Sequence, residues 1–250
     1  MEEIYESLEI APKVWQINDV PQNVSMYLVE GEDKALLIDA GDSKEDLLSY
    51  IESLTDKPVE LLVTHGHGDH AARTDQFEVV YLSHIDIVML QDWFDMNVST
   101  SDVIDLNGNE IINLGSTKLE VISVPGHTPG SVAILDREKE LLFTSDCIGS
   151  GALWMQLPTC TSLKDYYQSL CELDKKIEGL DKLRILVGHA GVLGSSYQVD
   201  YLNDVKYLTK QILEGKLVGE PTKEPEGFFG GHKTSYGKVK RLIYKIDNVC

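Results

Sequence analysis

Basic residues are scarce in this chain: 22 Lys and Arg stand against 41 Asp and Glu in 250 residues, for a net charge of −19. Such a chain repels phosphate backbones and anionic lipid at long range, so neither a nucleic acid nor a membrane surface is expected as a partner. A locally positive metal site still admits a small anion. Long apolar runs are missing, and no stretch nears the ~18 residues of a spanning helix. The N-terminus, Met-Glu-Glu-Ile-Tyr-Glu, is acidic where a secretory signal is basic. The four cysteines, Cys147, Cys160, Cys171 and Cys250, form no Cys-x-x-Cys pair. They read as free thiols of a reducing compartment, and a cytoplasmic location follows as the expectation. Low-complexity tracts and short repeats are absent. What remains is an ordinary globular composition, 42% hydrophobic and 25% charged, long enough for one domain over 1–250 with a sizeable core.

Periodicity predicts a mixed α/β chain. Lys13 to Asn18, Val24 to Glu30 and Lys34 to Asp39 read as strands bounded by turn residues. Ser43 is the expected cap of a helix from Lys44 to about Leu54. Val59 to Val63, apolar but for Glu60, reads as a strand covered on both faces. The same grammar recurs later. Lys118 to Val124, Ser131 to Leu135, Leu141 to Thr144 and Arg184 to Val187 read as strands, and helical stripes follow Ser162 and run through Leu202, Val205, Leu208 and Ile212. Residues 218–250 read as an extension, with a loop from Val218 to Ser235 and a final strand from Lys238 to Ile246.

Three of the seven histidines fall within six residues, in Thr64-His65-Gly66-His67-Gly68-Asp69-His70. His65 and His67, two apart in an extended loop, point the same way and can grip one cation, while Asp69 and His70 turn into the next helix and can face a second. Gly66 and Gly68 permit the tight backbone between them. Three more ligand-type residues each follow a predicted strand: His127, Asp146 and His189. Strand ends on one sheet edge converge, and five imidazoles with two carboxylates suit Zn²⁺, with Fe or Mn as further possibilities.

Those motifs, together with Leu37-Ile38-Asp39-Ala40-Gly41 and Pro125-Gly126-His127-Thr128-Pro129-Gly130-Ser131, resemble the metallo-β-lactamase-fold hydrolases over roughly residues 12 to 195. The resemblance implies a four-layer αββα sandwich holding two Zn²⁺ per chain. His65, His67 and His127 would hold one ion, Asp69, His70 and His189 the other, and Asp146 would bridge them. It also implies that a water between the ions becomes a hydroxide nucleophile, with Asp69 orienting it and taking its proton.

Within that superfamily the motifs are most similar to glyoxalase II, which implies hydrolysis of a small-molecule ester or thioester. The glutathione-binding Lys and Tyr of that branch fall here on Met155 and Leu157, and the homoserine-lactonase tyrosine falls on Gly149. A mono-iron persulfide dioxygenase, or a lactone or phosphodiester hydrolase of the same fold, is the alternative reading. For substrate contacts the sequence offers Trp154, in the loop after Asp146, and Phe228 with His232, in a Gly-bearing stretch suited to a lid. His84 reads as a helix-start residue, and Cys147 as a buried thiol pointing away from Asp146.

Overall fold

The computed structural model describes residues 4–222 and 230–250. Its first sheet runs in chain order: β1 (Tyr5–Ala11), β2 (Val14–Asp19), β3 (Val24–Glu30), β4 (Ala35–Ile38), β5 (Val59–Leu62), β6 (Val80–Leu82) and β7 (Ile104–Asp105). Pairing is antiparallel from β1 to β4 and parallel from β4 to β7. Helices α1 (Leu47–Glu52), α2 (Gly68–Ala71) and α3 (His84–Phe94) lie in the parallel crossovers. The second sheet holds β8 (Ile111–Asn113), β9 (Lys118–Ser123), β10 (Val132–Asp136) and β11 (Leu141–Ser145). The chain then leaves for β12 (Ala152–Met155) and α4 (Leu163–Lys176) and returns as β13 (Arg184–Val187), parallel to β11. After α5 (Val199–Leu213) come β14 (Glu220–Pro221), β15 (His232–Tyr236) and β16 (Val239–Tyr244). These three join β12 in a small third sheet.

Period-two alternation within apolar strands explains the layering. Tyr27, Val29, Leu36 and Ile38 of the first sheet meet Val132, Ile134, Phe143 and Leu186 of the second in a core between the sheets. Their neighbours point outward: Met26, Leu28 and Leu37 pack under Leu47, Ile51 and Leu90 of the first helical layer. On the far side Ala133, Leu142 and Ile185 pack under Tyr166, Leu170 and Leu202 of α4 and α5. Helix, sheet, sheet, helix is therefore the order of layers, as expected. The cross-sheet hydroxyl of Tyr27 donates to the Val187 carbonyl at 2.8 Å, and no described helix is long and apolar enough to cross a membrane.

Several local expectations need correction. The helix predicted from Lys44 begins at Leu47, capped by Asp46, whose carboxylate accepts from Ser49 N at 3.0 Å. Ser43 is instead drawn into the interior: its N–H and hydroxyl both donate to the buried Asp19 carboxylate, at 2.8 and 2.5 Å. An unpartnered buried carboxylate is costly, so satisfying Asp19 outweighs capping a helix. The stretch expected as a loop to Ser235 contains β14 and β15, which pair with each other, and β15 pairs in turn with β16. The sequence His-Lys-Thr-Ser-Tyr lacks apolar alternation because this hairpin is held by pairing more than by burial. The four cysteines are free, and Cys147 is buried in the α4 layer.

Gly31 shows how closely the sheets are joined. A Cβ there would lie 2.1 Å from the Leu114 carbonyl oxygen and 2.4 Å from Leu114 Cβ. Gly31→Ala is expected to destabilise the protein by about 1–3 kcal/mol through overpacking. The check is a lowered denaturant midpoint with an unchanged slope.

Candidate metal centre and substrate cavity

Parallel pairing places the ligand-type residues together. β4 and β5 run parallel, so Asp39 and the Thr64–His70 loop leave the same edge; β11 and β13 run parallel, so Asp146 and His189 do too. Thr64 O accepts from Val132 N at 3.0 Å, and Gly188 O from Ser25 N at 2.7 Å, stitching the two edges into one rim. α2 is a single turn that starts directly after His67 and swings Asp69 and His70 toward His189.

Two donor sets result. His65 Nε2 and His127 Nε2 lie 3.2 and 2.9 Å from His67 Nδ1. His70 Nε2 and His189 Nε2 each lie 3.6 Å from Asp69 Oδ2. Asp146 Oδ2 sits 3.2 Å from His189 Nε2, 3.7 Å from His70 Nε2 and 3.8 Å from His127 Nε2, so one oxygen reaches both sets. Ligands ~2.1 Å from a tetrahedral cation stand about 3.4 Å apart, and these separations cluster around that value. His70 Nε2 is buried with no hydrogen-bond partner, and an orphaned buried nitrogen facing two carboxylates is what a metal ligand looks like without its ion's share of contacts. The donor set fits Zn²⁺, and the cluster is able to bind metal.

The outer partners fix which nitrogen is presented. His127 Nδ1 donates to the Trp154 carbonyl at 2.9 Å and His189 Nδ1 to the Asn23 carbonyl at 2.8 Å. His70 Nδ1 donates to Asp39 Oδ2 at 3.0 Å, and His65 Nδ1 lies 3.1 Å from the Thr64 hydroxyl, which itself donates to Asp39. Each of these four imidazoles therefore turns its Nε2 lone pair inward. Asp39 also accepts from the Ser145 hydroxyl at 2.7 Å. Both Asp39 (φ +64) and Ser145 (φ +45) hold left-handed backbone that non-glycine residues rarely adopt, strain concentrated where it aims functional groups. Burial pushes His65 and His67 well below the ordinary imidazole range, so they stay neutral. Asp146 lifts His189 to about 9. Burial opposes protonation of His70, but Asp69 and Asp39 overcome it and raise its pKa.

A cavity of about 570 Å³ opens on this cluster, walled by Asn23, Ser150, Ala152, Trp154, Leu157 and Arg241. A second, more apolar hollow of about 840 Å³ shares His67, Asp69, Trp154 and Leu157 with it and continues along Trp93 and Phe94.

A family model described as the metallo-beta-lactamase superfamily matches residues 19–189. The chain belongs to that superfamily. Among curated metallo-beta-lactamase-like relatives, acyl-coenzyme A thioesterase MBLAC2 of Homo sapiens is 26% identical over 211 residues, covering 68% of this chain and 74% of that protein. Hydroxyacylglutathione hydrolase GloC of Haemophilus influenzae is 26% identical over 210 residues, covering 73% and 90%. Among solved structures, a metallo-beta-lactamase from Pontibacter korlensis superposes with a TM-score of 0.63 at 19% identity, over 82% of this chain and 99% of that one, which shows the shared fold.

The superfamily's site residues expected from sequence, His65, His67, Asp69, His70, His127, Asp146 and His189, are brought to one place by the fold. Trp154 lines both hollows. Phe228 lies outside the described residues. His232 lines neither hollow: it stands in β15 opposite Tyr244, on the face of the third sheet that packs inward, its ring 6.1 Å from that of Tyr244. His84 starts α3 as expected, with its N–H donating to Asp105 at 2.8 Å. Sequence reasoning missed Arg241, Asn23 and Asp86. Arg241 and Asn23 are distant in sequence from every motif, and only sheet pairing carries them to the rim.

Proposed function

We propose that this metallo-beta-lactamase-fold hydrolase cleaves small-molecule thioesters, with two zinc ions shared by His65, His67 and His127 on one side and Asp69, His70 and His189 on the other, Asp146 joining them. The observation that carries the reading is the Asp146 carboxylate, one oxygen of which reaches histidines of both donor sets. Zinc held there would supply an acidified water at neutral pH and a Lewis acid for the substrate carbonyl. The chain's own residues do the rest. Asp69, its side chain 39% exposed and bordering both hollows, orients the attacking water and takes its proton. His67 and His127 form the buried floor on which the carbonyl settles, and Trp154 and Leu157 exclude bulk water from it.

The leaving group argues for a thioester. Among the described residues lining this first cavity, every imidazole and carboxylate belongs to the proposed donor sets, and Arg241 and Ser150 are too weakly acidic, so a departing amine would depend on the one proton that Asp69 has taken from the water. A thiolate, with a conjugate pKa near 8.5, leaves without that help. The thioester substrates named for MBLAC2 and GloC support the same class.

The test is a panel of thioester, lactone and phosphodiester substrates on chelated and zinc-reloaded protein. Reloaded protein is expected to hold about two ions per chain, to cleave thioesters fastest and to lose turnover on chelation, with Asp69→Ala as the inactive blank. One iron per chain with oxygen uptake, or turnover that survives exhaustive chelation, would overturn the reading.

A further inference from the structure

The cavity has two unlike arms that diverge at Trp154. One runs over Trp93, Phe94 and Leu157, with Asp92 also in its wall, and is the more apolar of the two. The other is walled by Asn23, Ser150, Ala152 and Arg241. Arg241 is the one Lys or Arg side chain lining either arm among the described residues, in a protein with 19 more acidic than basic side chains. Its position is set by the third sheet. The Gly151 carbonyl accepts from both Lys240 N and Arg241 N, at 2.9 and 3.0 Å, and Arg241 pairs in register with Ala152. Alanine is too short to cover it, so the guanidinium reaches past its partner strand and lies 5.5 Å over the Trp154 ring.

A cation placed over a ring makes no hydrogen bond to it, so the contact leaves the guanidinium donors unused. Its five N–H groups point outward in the plane, a fork shaped for a carboxylate or a phosphate. Among the described residues no carboxylate or carbonyl pairs with it, and it lies over the tryptophan ring. A surface arginine held only by stacking needs no cavity. This one closes the wall of the cavity that contains His67, His127 and Asp146.

Resting on the thioesterase reading for the bond that is cut, we propose that Arg241 anchors an anionic group, carboxylate or phosphate, on the thiol half of the substrate. The acyl half then lies in the Trp93–Phe94 arm, and the scissile carbonyl is held between the two at the His67–His127 floor. Discrimination between acidic and neutral thiols is thus assigned to a residue 52 positions beyond the last ligand of the donor sets, His189.

The experiment uses three butyryl thioesters differing only in the thiol: mercaptopropionate, mercaptoethyl phosphate and the neutral mercaptopropionamide. The matching butyl thioethers, which cannot be cleaved, are titrated by calorimetry. In zinc-loaded wild type, kcat/KM for the better acidic thioester is expected to exceed that for the amide by about 10–100-fold, the worth of a charge-assisted hydrogen bond. Whether carboxylate or phosphate is favoured names the source of the anion. Arg241→Gln should bring the ratio close to one, chiefly through KM. Arg241→Lys should keep part of the preference, because it retains charge but loses the fork. The thioethers should bind in the same order, and the wild-type ratio should shrink as salt is raised, a readout that needs no variant. A wild-type ratio near one, or a ratio unchanged in Arg241→Gln, overturns the proposal while leaving the hydrolase intact. Acidic thioethers that bind through Arg241, with no thioester cleaved, would support the anion anchor and remove the thioesterase reading instead.

Discussion

Asp146→Ala is expected to lower kcat/KM by about 10³-fold or more, over 4 kcal/mol of transition-state stabilisation, while leaving the protein folded. The size follows from position. Asp146 Oδ2 is within 3.2–3.8 Å of His189, His70 and His127, so a single deletion disturbs both donor sets. Its side chain would also supply negative charge to offset the two proposed divalent cations, which no histidine can replace. Metal content measured on the purified variant should fall from about two ions to one or fewer. Asp146→Asn keeps the shape and loses the charge, and is expected to retain more metal than alanine but little more activity. Full metal occupancy with turnover within tenfold of wild type would contradict the assignment of Asp146 as the shared ligand.

Asp86→Ala is expected to be the most damaging change outside the donor sets. The Asp86 carboxylate is buried on α3 and accepts from Gly66 N and Gly130 N, both at 2.8 Å, and from the Thr128 hydroxyl at 2.6 Å. One side chain therefore clamps the loop carrying His65 and His67 to the loop carrying His127. The fit is close: a Cβ on Gly66 or Gly130 would stand 2.6 Å from an Asp86 atom, which explains glycine at both places. Burial raises the Asp86 pKa, and the three donors offset only part of that rise. Alanine would strand two buried N–H groups, each worth ~1–3 kcal/mol, for a total of about 2–6 kcal/mol. Activity of the folded fraction should drop roughly 10–100-fold, the usual cost of losing a partner that orients metal ligands. Denaturant unfolding and turnover per folded molecule separate the two effects. Stability within about 0.5 kcal/mol of wild type would show that the clamp carries no load.

How much of this was written in the sequence depends on the physical signal. The His-x-His-x-Asp-His run and the strand-end residues His127, Asp146 and His189 were readable because metal ligands need particular side chains at particular spacings. The two central sheets were readable because strands covered on both faces are continuous apolar runs, as in Val132–Asp136 and Leu141–Ser145. Strand β1 was not, because Tyr5–Ala11 lies at a sheet edge, half exposed and rich in glutamate. The third sheet escaped notice for a related reason. β15 is polar, and β12, the other strand paired with β16, ends 84 positions before β16 begins, counted from Met155 to Val239. Asp86 was invisible because its work is accepting backbone N–H bonds, which any acidic residue on a helix could appear able to do. The lid expected around Phe228 and His232 was drawn from glycines and aromatics in one stretch; Phe228 lies outside the described residues, and His232, in β15, is paired with Tyr244.

The third sheet also sets an order of assembly. A ribosome has released all seven proposed ligands once His189 emerges, yet the wall bearing Arg241 arrives only with β16, which pairs back onto β12. Ion capture can thus begin on a nascent chain whose selectivity for acidic thiols does not yet exist. The same separation gives evolution a free hand: exchanging the segment after α5 would retune which molecules enter without replacing any of the seven proposed ligands.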